Sequence, residues 1–253
     1  MNRYSQMIVA ILIMLLPAMA NAANRVALVI GNDAYLHIST LHTAVADANA
    51  MAKALNDVGY DVDYQHDLNR SQLFKAVRNF KSILKHGDEA VFYYAGHGVA
   101  INGLANYLLP VDVPNAGRDQ VRDGSLALQR ILDDLREKKV RLSMVIVDAC
   151  RDNPFKNGNA RSFGTRGLVR ERAAEGQMVI YSAGDGQKAL DNLSEDDADP
   201  NGVFTRVFLK EMKKPGQNIS EVVRQVRKQV AALAEGVGTK QVPAVYDQVI
   251  GDW

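Results

Sequence analysis

One cysteine, Cys150, stands in a chain of 253 residues. With no second thiol, no internal disulfide can form. Neither sign of charge is in excess, with 30 Lys and Arg against 29 Asp and Glu. That balance lacks the basic footprint of a nucleic-acid binder. No G-x-G-x-x-G and no P-loop lysine motif occurs, which weighs against a nucleotide-binding protein despite a strand-like run ending at Gly31. His37, His42, His66 and His86 show no metal-ligand spacing. There is no internal repeat and no clear domain boundary. Beyond residue 22 no apolar run is long enough to cross a membrane.

The first 22 residues differ from the rest. Arg3 supplies a positive start, Met7 to Leu16 is almost wholly apolar, and Ala18-Met19-Ala20-Asn21-Ala22 offers A-x-A cleavage sites. This pattern predicts a signal peptide over 1–22 and a mature domain over 23–253, exported and, in a Gram-negative cell, periplasmic. A membrane anchor is the alternative, disfavoured by the short apolar core. In an oxidising compartment a lone thiol is a liability unless it is buried or used. A lone cysteine is more often an inert core residue, so its neighbourhood decides.

What is present alternates between two periods. Arg25 to Gly31 reads as a buried parallel strand. Ala44, Ala48, Met51, Leu55 and Val58 repeat at helical spacing, with Gly59 suited to the C-cap. Tyr60 to Tyr64 reads as a strand. Leu73, Val77, Phe80 and Leu84 give a second helical stripe after the capping candidate Asn69. Strands follow over Glu89 to Ala95, Leu142 to Ala149 and Gln177 to Ala183. Helices are expected over Leu126 to Glu137, Val203 to Lys214 and Ile219 to Glu235, and a last extended segment over Gln241 to Ile250. Residues 98–124 read as a long loop with a short extended piece. The fold class is therefore α/β: one doubly wound, mostly parallel sheet of about six strands with helices on both faces.

In such sheets chemistry sits beyond the carboxyl ends of the strands. "FYYAGHGVA", Phe92 to Ala100, puts His97 after one strand, and Cys150 follows the next. Consecutive strands joined by one right-handed crossover are neighbours in the usual case, so both residues can face one substrate. A thiol needs a base or a positive neighbour to become a thiolate. His97 can be that base and can later protonate a leaving amine. Gly96 and Gly98 carry no side chain to keep a substrate from the imidazole, and the amides of Gly98 and Cys150 can bind a developing oxyanion.

The blocks "RVALVIGNDAY", "ADANAMAKAL", "VFYYAGHGVA", "NYLLPVD" and "IVDACRDNPF" resemble those of caspase-like cysteine peptidases, the group of caspases, metacaspases and paracaspases. In caspases a histidine stands about 50 residues upstream of the nucleophile, as His97 stands to Cys150. The likeness, to a bacterial metacaspase-like member, covers about residues 25 to 250. It implies a Cys–His dyad of Cys150 and His97, an oxyanion hole at Gly98 and Cys150, and a cysteine endopeptidase with no required metal or organic cofactor.

Two positions depart from the caspases. Where they have glutamine two residues before the nucleophile, this chain has Asp148, as metacaspases do. An acid there attracts a basic P1 residue, so the resemblance implies protein or peptide substrates cut after Arg or Lys. "SAGDGQKALD" resembles the segment lining the same pocket, which makes Asp185 and Asp191 candidates. Asn32 and Asp33 read equally as rim or turn residues, and Asp47 reads as helix N-terminal electrostatics. "RDNPF" departs from metacaspases, so their calcium dependence does not carry over. Glu195 to Asp199 reads as a solvated acidic loop before a calcium site. Residues 156–176 read as an exposed basic loop or as a processing loop, in which case, with a basic P1, Arg161, Arg166, Arg170 and Arg172 are candidate self-cleavage sites. The oligomeric state is open. A catalytically silent peptide-binding module is the alternative function.

Overall fold

A computed structural model describes residues 23–149, the backbone of Cys150, and residues 154–155, 168–169, 171 and 173–249. Among them, eight strands form one sheet: β1 (Arg25–Gly31), β2 (Asp61–His66), β3 (Glu89–Ile101), β4 (Ala105–Leu108), β5 (Leu126–Ala127), β6 (Leu142–Cys150), β7 (Gln177–Tyr181) and β8 (Ala244–Asp247). The helices are α1 (Ala44–Asp57), α2 (Arg70–Ile83), α3 (Arg118–Gly124), α4 (Leu128–Glu137), α5 (Val203–Met212) and α6 (Ile219–Gly236). The main order is β2-β1-β3-β6-β7-β8. Its first five strands run parallel and β8 is antiparallel to β7.

The central strands are apolar on both faces because both faces are covered. Val26, Leu28 and Ile30 pack with Phe92 and Tyr94 against Leu73, Val77 and Phe80 of α2 and Ile131 and Leu135 of α4. Ala27 and Val29 point the other way, with Val91 and Tyr93, onto Met51 and Leu55 of α1, Phe204 and Phe208 of α5, and Val223 and Val226 of α6. Burying one such large side chain contributes about 1.5–3 kcal/mol. Gly31 ends β1 for a packing reason. A Cβ there would stand 2.6 Å from the Ala44 carbonyl oxygen and 2.8 Å from Ala48 Cβ, so glycine lets α1 lie close over the strand end.

The helix ends follow their local chemistry. Asn69 accepts from the Gln72 amide at 3.0 Å, and the Gln72 side chain accepts from the Asn69 amide, closing a capping box at the start of α2. α1 buries Ala44, Ala48, Met51 and Leu55 as the spacing predicts. Val58, expected on the same stripe, is 42% exposed, because the helix stops at Asp57 and the chain turns at Gly59 with φ 88°.

The main difference from expectation lies around the histidine. The sequence suggests a strand ending at Ala95 and then a long loop, but β3 continues to Ile101. Its first part pairs with β1 and β6, and Gly98 to Ile101 pair antiparallel with β4. A second partner strand keeps the chain extended past the glycines. β4 also pairs with β5, so Leu126 and Ala127, expected in a helix, form a strand. A third apolar cluster, including Tyr35, Val99, Leu109, Val113 and Phe155, packs beside this small sheet. No described helix is long and apolar enough to cross a membrane.

Candidate active site

β3 lies between β1 and β6, and the β3–β6 register sets His97 opposite Cys150. Neighbouring strands run about 4.8 Å apart, so the two backbones are adjacent. The His97 ring is buried, at 4% exposure. Its Nε2 lies 2.8 Å from the Ser39 carbonyl oxygen. A carbonyl only accepts, so this bond assigns the proton to Nε2 and leaves a lone pair on Nδ1. Nδ1 is buried and has no hydrogen-bond partner among the described residues. Burial pushes the imidazole below its usual range, against the Ser39 carbonyl and the Asp191 carboxylate, which raise it. The ring is therefore neutral near pH 7, with the Nδ1 lone pair unmatched among the described residues.

Two tyrosines fix the backbone that carries it. The His97 amide donates to Tyr35 Oη at 2.7 Å, and Tyr94 Oη donates to the His97 carbonyl at 3.0 Å. The Tyr35 ring also packs on the imidazole, with centroids 4.6 Å apart. These contacts give the flanking glycines a different use from the one the sequence suggests. A Cβ at Gly96 would stand 2.7 Å from both tyrosine hydroxyls, and one at Gly98 would stand 3.2 Å from Leu168 Cδ2. The space at Gly96 is filled by the chain's own hydroxyls. At Gly98 it is filled by Leu168, which is buried.

Beside the histidine is a small acidic pocket. Ala95 and Gly96, the two residues before His97, line it together with Asp47, Asp148, Asp191 and Gly202. Asp148 is held by a relay in which Thr205 donates to its carboxylate at 2.8 Å and the Tyr93 and Thr205 hydroxyls lie 2.8 Å apart. Burial pushes Asp148 up, partly countered by Thr205, and the Asp191 charge adds to the rise. Asp47 is 3% exposed and accepts from the Gly202 amide at 2.9 Å. Burial, then the Asp148 charge, push its carboxyl up to about 8. Thr43 donates to Asp191 at 3.3 Å. Asp185 does not line this pocket; it is exposed on the turn after β7.

Asp47 stands in the first turn of α1, as the sequence suggests, but it is buried and lines the pocket, which was not anticipated. It falls three positions after Ala44 and four before Met51, on the buried stripe of α1, and that placement was readable. The Ser39 carbonyl carried no sequence signal, being backbone. Tyr35, Tyr94 and Thr205 read as ordinary core and helix residues.

The remaining candidates divide cleanly. Asn32 is structural: its side chain accepts from the Leu68 amide at 2.9 Å and donates to the Leu109 carbonyl at 3.2 Å. Asp33 accepts from the Ala44 and Val45 amides at 3.0 and 3.1 Å, tying down the start of α1. In the acidic loop, Asp197 is paired with Arg206 at 2.8 Å. No group of three or more metal-ligating side chains occurs among the described residues. Within 156–176, Leu168 and Glu171 are buried, and Asn106 exchanges two 2.7 Å bonds with the Val169 backbone. Arg161, Arg166, Arg170 and Arg172 lie outside the described residues, as do Arg151, Asp152 and residues 1–22.

Comparison with known proteins extends this picture along the chain. The family described as "Caspase domain" matches residues 24–251. The mouse mucosa-associated lymphoid tissue lymphoma translocation protein 1 homolog is 32% identical over 130 residues, 51% of this chain and 15% of that protein. The human protein matches to the same extent. A "Probable protease" of a Desulfuromonadales bacterium is 23% identical over 139 residues, 54% of this chain and 17% of that one. The matched segments are thus a small share of those longer relatives.

Proposed function

The chain belongs to the caspase-domain peptidases, and on that premise we propose that it is a metacaspase-like cysteine endopeptidase cutting after Arg or Lys. Cys150 is the nucleophile and His97 the general base and acid. His97 Nδ1 takes the thiol proton, and the thiolate attacks the scissile carbonyl. The oxyanion is received by the Gly98 and Cys150 amides. Imidazolium then protonates the leaving amine, leaving a thioester on Cys150. A water deprotonated by His97 hydrolyses the thioester and releases the new carboxyl end. Besides water and substrate, the scheme uses only the Cys150 and His97 side chains and the Gly98 and Cys150 amides.

One observation carries the specificity: Asp47, Asp148 and Asp191 line one pocket beside His97, and no Lys or Arg is among its described lining residues. The pocket holds about 20 Å³ as it stands. Widened to admit P1, it would pair a guanidinium or ammonium with its carboxylates, of which Asp47 and Asp148 are pushed up by burial and like charge, and an acidic P1 would be repelled. Asp185 has no part in this reading. Residues 1–22 support an exported, periplasmic protein, and the basic 156–176 segment supports processing in cis.

The test is hydrolysis of fluorogenic peptides ending in Arg, Lys or Asp by the chain lacking residues 1–22, in reductant, with and without calcium. Cleavage after Arg and Lys that vanishes in Cys150→Ala is expected. Cleavage after Asp would overturn the pocket and keep the dyad. Silence on all peptides, with a thiol that also ignores a peptide chloromethyl ketone, would make the domain a binding module instead.

A further inference from the structure

A second cavity lies at the other end of the sheet. It is lined where β1, β3 and β6 begin, by Arg25, Glu89 and Leu142. Its volume is about 410 Å³, within the range of small-molecule sites. The run of β3 from Glu89 to His97 spans roughly 25 Å, so this cavity is separate from the candidate active site.

Three chemistries meet in it. Leu55, Met144, Met178 and Met212 form an apolar lining, and unbranched thioethers repack around differently shaped partners. Glu89 is buried between two guanidiniums, with Arg25 Nε at 2.9 Å and Arg141 on its other oxygen. The lining therefore holds two cationic groups around one carboxylate. Gln217 also lines it, and its Oε1 is buried with no hydrogen-bond partner among the described residues. A bare buried acceptor is costly and is relieved by an occupant that donates.

We infer that this cavity binds the C-terminal end of a short peptide whose last residue is apolar. The terminal carboxylate pairs with the half-exposed Arg25 guanidinium, through N–H groups beyond those given to Glu89 and the Val58 carbonyl. An N–H of the peptide donates to Gln217 Oε1, and the last side chain packs on the methionines. A fatty acid supplies the carboxylate and the tail but nothing to donate to Gln217. A free apolar amino acid carries the same three groups, with an ammonium as donor. No histidine, cysteine or serine is among the described lining residues, and binding alone is assigned to the cavity.

Isothermal titration calorimetry on the Cys150→Ala chain lacking residues 1–22 tests this, with Ala-Leu, its C-terminal amide and free leucine as probes. Ala-Leu is expected to bind, and the amide to bind about tenfold or more weakly, the effect of losing charge-assisted bonds. Val58 lines the rim and is 42% exposed, so Val58→Asp should leave unfolding cooperative while its carboxylate repels the ligand and weakens binding about tenfold. Ile219→Trp should block the same cavity by bulk. Free leucine binding as well as Ala-Leu would identify the amino acid as the source; weaker leucine would identify the peptide. The inference fails if acid and amide bind alike, if no probe binds at about 1 mM, or if both variants bind like the parent.

Discussion

At the strand starts Glu89 is buried between Arg25 and Arg141; at the strand ends Asp47, Asp148 and Asp191 line one pocket with no Lys or Arg among its described lining residues. Both places take carboxylates out of water, which is costly unless they are paired. The first supplies the countercharge within the fold. The second leaves it missing, and burial and like charge push Asp47 up to about 8. Chains keep such a deficit where function needs it. The difference separates a place whose carboxylate is already paired from one that waits for a cation.

The comparison breaks first if the strand-end residues prove dispensable. His97→Ala should lower kcat/KM on an arginine peptide by about 10³-fold or more, since it removes both proton transfers. Unfolding should stay cooperative, and an activity within tenfold of the parent would remove His97 from the mechanism. Next comes Asp148→Asn. It keeps the bond from Thr205 but removes a charge facing P1. A loss of about 10²-fold on P1 Arg is expected, with little change on a P1 glutamine peptide. Equal losses on both would mean a structural role.

How far this division was legible depends on what each part is made of. The apolar strands and helical stripes name their elements directly, because burial on one face or two dictates their period. His97 and Cys150 were found from strand ends and a quoted motif, and the β3–β6 register sets them side by side. Asp148 and Asp191 reached the pocket; Asp185, from the same quoted segment as Asp191, did not. The continuation of β3 past Ala95 was hidden because it depends on β4, a partner distant in sequence. Ser39 was hidden because a carbonyl has no letter, and Asp47 because an acid in a first turn has an ordinary explanation.

Asp47→Asn sharpens the comparison from the side of stability. The folded carboxyl titrates near 8 against 3.8 for the ordinary group, so between those values the native state holds a proton that the unfolded chain has lost. Its contribution is fully present below about pH 4 and is lost as pH rises toward 8. Asparagine cannot ionise, yet it can still accept from the Gly202 amide. The variant should match the parent near pH 4 and exceed it by a few kcal/mol near pH 8. Urea denaturation at both pH values measures this. Parallel curves for the two proteins would show that Asp47 does not carry the strain. The same variant should lose the rise in kcat/KM on P1 Arg that the parent gains as Asp47 ionises.

Glu89→Gln probes the paired end and should have the smallest effect. The carboxylate side chain is 9% exposed, but its partners Arg25 and Arg141 are 50% and 52% exposed, so water already screens them. Discounted for that screening, the loss should be about 1–2 kcal/mol. Turnover per folded molecule should not change, because β3 places this residue roughly 25 Å from His97. Activity normalised to folded fraction, across a urea series, separates the two quantities. A drop in normalised activity would mean that the two ends of the sheet are coupled, and that the arginine pair at its base bears on the histidine at its top.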